Sequence, residues 1–419
     1  MKKRLIIALT LPLLLMSSGC SNNESTESAE TIVLEPSAAK VDQSKVFGVC
    51  YELHVRRDDP DFDYKKDAIL LKNLGVKSIR FWLQANDYMI SPTKVYQDGC
   101  NYAHEVLNEF IKNGIEIIAM NNTNYSTGLG ASCKPQRDLT PNSYYLKWLN
   151  DYSTTYYTLA NEFKEIKYFE IENETNGSFC NDMNNKDTYS LQQKSELTTD
   201  MLYYASQGIH KANKDAITVI GGPVGLSGGK IKNFFESIYN NIESGEFGYK
   251  YDEQTKESAS KNPDDYFQMA CWHPYIEQTT FYKSVFKKYN DEIYQVILNH
   301  EGKHKEVMFS EIGWTNKYCS EEISAKYLKS MYELVTAEMP YVKFVTYYKL
   351  YDYGDAATYW THEISRYGLI YDPMTSRQYN DGYDENTIVE AGSPKKQAYA
   401  FQEVAGGSGI INIKEITID

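Results

Sequence analysis

The sequence has no basic excess. Its 419 residues hold 43 Lys and Arg against 57 Asp and Glu, a formal net charge of −14 at pH 7. A nucleic-acid binder needs a basic face, so no nucleic-acid partner is expected. No G-x-G-x-x-G or G-x-x-x-x-G-K-[ST] run occurs, which weakens the nucleotide-binding alternatives. No Cys-x-x-Cys pair occurs, which argues against a structural zinc site. No internal repeat is visible. Trp is scarce, 5 residues against 37 Tyr. Beyond the first twenty residues, no segment is apolar enough to cross a bilayer. What remains is a chain with 42% hydrophobic and 24% charged residues. That composition supports a sizeable core and excludes general disorder. The length suits one large or two ordinary domains.

The N-terminus is the one strongly apolar stretch. Lys2, Lys3 and Arg4 precede an apolar run from Leu5 to Met16, followed by Ser17, Ser18, Gly19 and Cys20. A basic start, a short apolar run and small residues read as a secretory signal. Gly19-Cys20 before a polar tract resembles a bacterial lipoprotein signal, with Ser17 where Leu is usual. That resemblance implies residues 1–19 as signal peptide and Cys20 as the lipidated new N-terminus. It also implies residues 20–40 as a flexible tether. The expected product is exported and held at the bacterial cell envelope only through its lipid, or else secreted. Six cysteines then remain, which permits disulfides in an oxidising compartment. Cys100 and Cys133 are a plausible pair, while Cys50 and Cys271 read as strand residues.

Short apolar runs alternate with longer helical patterns along the rest of the chain. Eight strands are expected at Val46–Tyr51, Ser78–Leu83, Ile115–Asn121, Tyr168–Asn173, Ile217–Gly221, Phe267–Trp272, Val307–Glu311 and Phe344–Leu350. Eight such units over some 360 residues fit an α/β fold, a (β/α)₈ TIM barrel spanning residues 41–405. Polar insertions interrupt it at Ser244–Asp265 and Tyr351–Lys396. The tail, residues 406–419, alternates at Ile410–Ile418, as does Thr31–Leu34; the two could form a small β annex.

In such a barrel the site lies at the C-terminal ends of the strands. The fourth run ends in Glu-Ile-Glu-Asn173-Glu174, and the seventh in Ser-Glu311-Ile-Gly-Trp314. Carboxylates from two strand ends are what glycosidic cleavage needs, one as proton donor and one as nucleophile or base. Each Glu alone would read as a solvated loop residue. Glu170 and Glu172 alternate with apolar residues and would share a face with Glu174 in a regular strand.

Here the sequence resembles the clan A glycoside hydrolases, similar to families 5 and 39. Asn173-Glu174 matches their Asn-Glu acid/base pair, and Glu311 their nucleophile. Arg80 in Ser-Ile-Arg-Phe-Trp matches the supporting arginine, and His273-Pro-Tyr275 the His-x-Tyr element. Gly368-Leu-Ile and Pro394-Lys395-Lys396 resemble their closing pattern. The resemblance implies a retaining glycosidase that cleaves a β-linked oligo- or polysaccharide by double displacement, without cofactor or metal. It implies Asn173 on the sugar 2-OH, Arg80 and Tyr275 on Glu311, and His273 lining the site. One departure stands out. Many clan members end strand eight with a Trp under the sugar, whereas this chain reads Tyr347-Tyr348-Lys349. Tyr348 is the expected stand-in, with Tyr347 the alternative. Trp82, Trp272 and Trp314 are candidate stacking platforms. Glu52, His54, Asn121, Asn122 and Asn124 are further candidates for sugar hydroxyls.

Two rival readings stand beside this one. A surface glycan-binding protein could use the same barrel without turnover. His300-Glu301-Gly302-Lys303-His304 also matches the zinc-protease pattern HExxH, though Gly302 weakens the helix which that chemistry needs.

Overall fold

The computed structural model describes residues 34–53, 62–124, 132–182, 189–248, 260–353, 366–373, 379–380 and 388–418. Cys20, the leader and His54 lie outside these. Eight parallel strands form the barrel: β1 Phe47–Tyr51, β2 Ser78–Trp82, β3 Glu116–Asn121, β4 Tyr168–Ile171, β5 Ile217–Ile220, β6 Ala270–Trp272, β7 Val307–Ile312 and β8 Val342–Tyr347. The ladder runs β6-β7-β8-β1-β2-β3-β4-β5, and parallel bridges Val219–Met269 and Val224–His273 draw its two ends together. Each expected strand is present, within four residues of its expected ends. The strands are nearly unbroken runs of buried residues, as parallel strands covered on both faces require.

Helices follow in turn: α1 Tyr64–Leu74, α2 Gln97–Lys112, α3 Tyr144–Glu162, α4 Leu191–Ala212, α5 Lys230–Ser244, α6 Lys283–Glu301, α7 Glu321–Glu338 and α8 Lys396–Ala405. Their ends carry local signals. Asp63 caps α1 by accepting from Lys65 N, and Gly75 ends it in the left-handed region. Ser190 and Gln193 form a capping box on α4.

Gly302 likewise ends α6 in the left-handed region, and this breaks the HExxH pattern. His304 falls outside the helix, so the two histidines share no helical face. His300 lies 2.6 Å from Glu243 and 3.0 Å from Glu236, whereas His304 meets the Tyr294 hydroxyl at 3.2 Å.

Three other expectations are corrected. Cys100 and Cys133 do not pair, and all six described cysteines are free. Cys100 points from α2 into the core, donating to the Tyr88 carbonyl, while Cys133 lies in a two-residue parallel pairing with Asn181. The tail, residues 406–418, forms no strand, and most of its expected partner, residues 31–33, lies outside the described residues. Its alternation reflects burial of Ile411, Ile413 and Ile416, and Ile413 N reaches a single carbonyl, that of Gly392. Residues 34–40, expected as tether, pack under the barrel. Ala39 is buried, Val41 N donates to the Pro340 carbonyl, and the Leu34 carbonyl accepts from Gln295.

The closing pattern after β8 is a buried seam. Gly368 N donates to Asp352 Oδ1 at 2.7 Å, and a Cβ there would lie 2.3 Å from Asp352 N. Lys395 Nζ pairs with Asp352 at 2.6 Å and donates to Asn316 Oδ1 at 2.8 Å, all three being buried. Removing one partner leaves an uncompensated buried charge. Lys395→Ala should therefore lower stability by about 3–5 kcal/mol, read as a lower urea midpoint.

Candidate active site

Arg80 is the first inward-facing charge at the mouth. Its strand neighbours Ile79 and Phe81 pack outward, so alternation turns Arg80 inward and leaves Trp82 above it. The guanidinium is fully buried. Nε and Nη2 donate to Glu170 at 2.6 and 3.1 Å. Nη1 donates to Glu311 at 2.5 Å, and Nη2 also reaches Asn173 Oδ1 at 2.7 Å.

Glu311 gets there through a bulge. Phe309 pairs with Val345 and Ile312 with Tyr347, so β7 carries one residue more than β8 across this step. A bulge re-aims side chains. Here both Ser310 and Glu311 reach the interior polar cluster. Ser310 Oγ donates to Glu170 at 3.0 Å, and Tyr275 OH donates to Glu311 Oε2 at 3.2 Å.

Regular alternation fails at the end of β4. Glu170 faces inward, but Glu172 has φ 73° and Glu174 φ 45°. Such angles cost a non-glycine residue about 1–3 kcal/mol each. Glu172 thereby leaves the face of Glu170. It turns to Tyr152 OH at 2.6 Å and Lys134 Nζ at 2.8 Å. Burial raises its pKa, opposed by Lys134. Glu174 rises over the mouth, its N donating to the Gly222 carbonyl at 3.2 Å.

His273 joins the two carboxyls. Its Nδ1 is 2.8 Å from Glu174 Oε1 and 3.7 Å from Glu311 Oε2. One oxygen of each Glu and a ring nitrogen of His273 all lie within 4.8 Å of one another. Among the described residues this trio is the group able to hold a cation. Gly222 makes room for the ring. A Cβ there would lie 2.4 Å from His273 Cδ2 and 2.7 Å from Ser310 Oγ. The sequence signal for this close approach is the Gly221-Gly222-Pro223 run.

The charges follow from this packing. Burial raises the pKa of Glu311, opposed by His273 and Arg80, while Glu174 and Glu170 add to the rise. Burial disfavours a charged His273, but Glu311 and Glu174 outweigh it, so the ring titrates above its ordinary 6.5. Arg80 stays charged because Glu170 and Glu311 overcome its burial.

The aromatic candidates divide. Trp272 packs outward, donating to Asn290 at 2.6 Å and lying against Phe235 and Phe309. Trp314 is 1% exposed, wedged against Phe281 and Tyr327. Neither offers a face to a sugar. Trp82 and Tyr348 are half-buried, and Tyr348 rests against Tyr367, which also meets Tyr275. Tyr347 is fully buried. Asn121 and Asn124 are structural, binding Ala85 N and the Trp148 carbonyl. Asn122 is different: it is buried, and among the described residues both its amide atoms lack a partner.

No family model and no curated protein matches the sequence. Solved structures do match. A family 39 glycoside hydrolase from Bacteroides cellulosilyticus WH2 aligns with TM-score 0.56 and 17% identity over 87% of this chain. This chain spans 64% of that enzyme's length. A β-glucosidase from Thermotoga maritima, solved with castanospermine, aligns with TM-score 0.54 and 13% identity, covering 89% of this chain and 99% of the other. ZgEngAGH5_4, solved with a cellotriose, aligns with TM-score 0.55 and 10% identity over 88% and 98%. The fold is that of the clan A glycoside hydrolases. At these identities the likeness extends to the barrel and leaves the chemistry to be argued from the side chains.

Proposed function

We propose that this protein is a retaining glycosidase acting on a β-linked glycan, with Glu174 as acid/base and Glu311 as nucleophile. One observation carries the reading: two carboxyl oxygens within 4.8 Å, from different strand ends, over a buried arginine. Retaining enzymes hold their carboxyls about 5–5.5 Å apart, and inverting ones about 6.5–9.5 Å. A nearest-oxygen spacing within 4.8 Å falls on the retaining side of that division, which supports Glu311 as nucleophile.

Glu311 attacks the anomeric carbon while Glu174 protonates the departing glycosidic oxygen. The glycosyl–Glu311 ester is then cleaved by water, whose proton goes to Glu174. Arg80 and Tyr275 hold the two oxygens of Glu311, fixing its line of attack. Asn173 gives its Oδ1 to Arg80, which leaves its amide N–H to meet a sugar hydroxyl. His273 sets the rotamer of Glu174, and its charge favours the ionised form of Glu311. Tyr348 and Trp82 supply apolar faces. The same barrel serves a β-glucosidase and a cellotriose-bound protein, so β-glucans head the substrate panel. The amino-terminal pattern supports export with Cys20 lipidated. Lipid labelling should be lost, and the protein released from membranes, in Cys20→Ser.

Reducing-end release from β-glucans, xylans, mannans and galactans tests the main reading. Turnover should survive a chelator and vanish in Glu311→Gln. Glu174→Ala should slow natural glycans far more than aryl glycosides with good leaving groups, which need no proton. Retention of a glycan without any turnover would sink the assignment in favour of a binding protein.

Acid should also inactivate the enzyme early. Glu311 must be ionised to attack, and its raised pKa means that it takes up a proton at higher pH than an ordinary Glu. The acid limb of kcat/KM should therefore lie above the ordinary carboxyl value of 4.5. His273→Ala removes a cation that lowers Glu311, so its limb should move further up in pH.

A further inference from the structure

A charged group at the ends of β1 and β8 takes no part in the chemistry above. Cys50 on β1 faces inward, its thiol 3.4 Å from the Ser310 carbonyl and level with Arg80 in the strand register. Glu52 lies two residues further along, just past the strand, and alternation keeps it on that inner side. Cys50 Sγ on the Ser310 carbonyl sets β1 against the residue before Glu311, so Glu52, the next inward position along the chain, lies further up the mouth on the same side.

Its two oxygens are treated differently. Lys349 Nζ lies 3.3 Å from Oε2, and Tyr353 OH donates to that same oxygen. No described residue donates to Oε1. The side chain is 11% exposed. Lys349 is itself buried, with Nζ 3.0 Å from the centre of the Tyr353 ring. Lys349 and Tyr353 thus pin one oxygen and leave the other without a described donor. An ionised carboxylate can only accept hydrogen bonds.

We propose that Glu52 Oε1 accepts a hydrogen bond from a hydroxyl of the sugar bound against Glu311, and that this contact sets which sugar is taken. Lys349 and Tyr353 are positioning residues for it. The assignment rests on the glycosidase reading and narrows it. The sugar must be neutral, with a hydroxyl donor at this point. A sugar carboxylate would meet Glu52 as a like charge.

The test compares wild type with Glu52→Gln on the aryl β-glycoside that is turned over, its monodeoxy analogues and the matching uronide. A charged hydrogen bond is worth about 1.5–3 kcal/mol, so Glu52→Gln should cut kcat/KM on the parent about 10- to 100-fold. For one monodeoxy analogue the wild type should already be slow, and Glu52→Gln should add nothing. The variant should also discriminate less against the uronide. If Glu52→Gln fails to fold, the paired apolar change Glu52→Leu with Lys349→Met replaces it. An equal loss on the parent and every deoxy analogue would mean a purely structural clamp and overturn the proposal. Absence of wild-type turnover on every parent removes the glycosidase reading, and this assignment with it.

Discussion

The buried guanidinium of Arg80 is the constraint around which the rest of the mouth is arranged. A lone cation in a barrel interior is costly unless paired and fully hydrogen-bonded. Arg80 meets that demand with Glu170, Glu311 and Asn173. These acceptors come from β4, from β7 and from the turn after β4. One side chain thus ties three parts of the barrel and sets the rotamers of the acidic groups. Glu170 completes the network beneath, accepting from Ser310 Oγ and from Gly222 N at 3.2 Å.

The irregularities at the rim follow from this demand. The β7 bulge brings two successive residues, Ser310 and Glu311, to the same buried cluster. Glycine at 222 lets the His273 ring and Ser310 lie against backbone. The left-handed residues at 172 and 174 send one glutamate outward to Lys134 and the other over the mouth. Backbone strain of this kind persists only where surrounding contacts over-determine it. Here those contacts are Glu172 N on the Asn121 carbonyl, the Lys134 and Tyr152 bonds, and Glu174 N on Gly222.

Charge balance gives the cavity its chemical character. Glu52, Glu170, Glu174 and Glu311 are met, among the described residues, by the cations Arg80, Lys349 and His273. Arg80 is consumed by three acceptors, and Lys349 lies under the Tyr353 ring. The cavity therefore presents acceptors and aromatic faces. Under the proposed function, that suits a neutral sugar, whose O–H groups donate and whose C–H faces stack.

The barrel was legible in the sequence because its cause is local. Eight apolar runs alternating with helical patterns leave few ways to bury every strand on both faces. Arg80, Asn173, Glu174, His273, Tyr275 and Glu311 were legible because each stands in a short motif within or just after a strand. The tertiary structure alone decided which of these side chains meet and how. Alternation could not foresee the outward turn of Glu172, since a residue at positive φ breaks the period. Indole rings at strand ends looked alike in sequence, yet packing buried Trp272 and Trp314 and left Trp82 half-open. Cysteine spacing carried no information about which faces Cys100 and Cys133 occupy. The two donors on Glu52 also needed the fold, because Lys349 and Tyr353 lie some three hundred residues further along the chain.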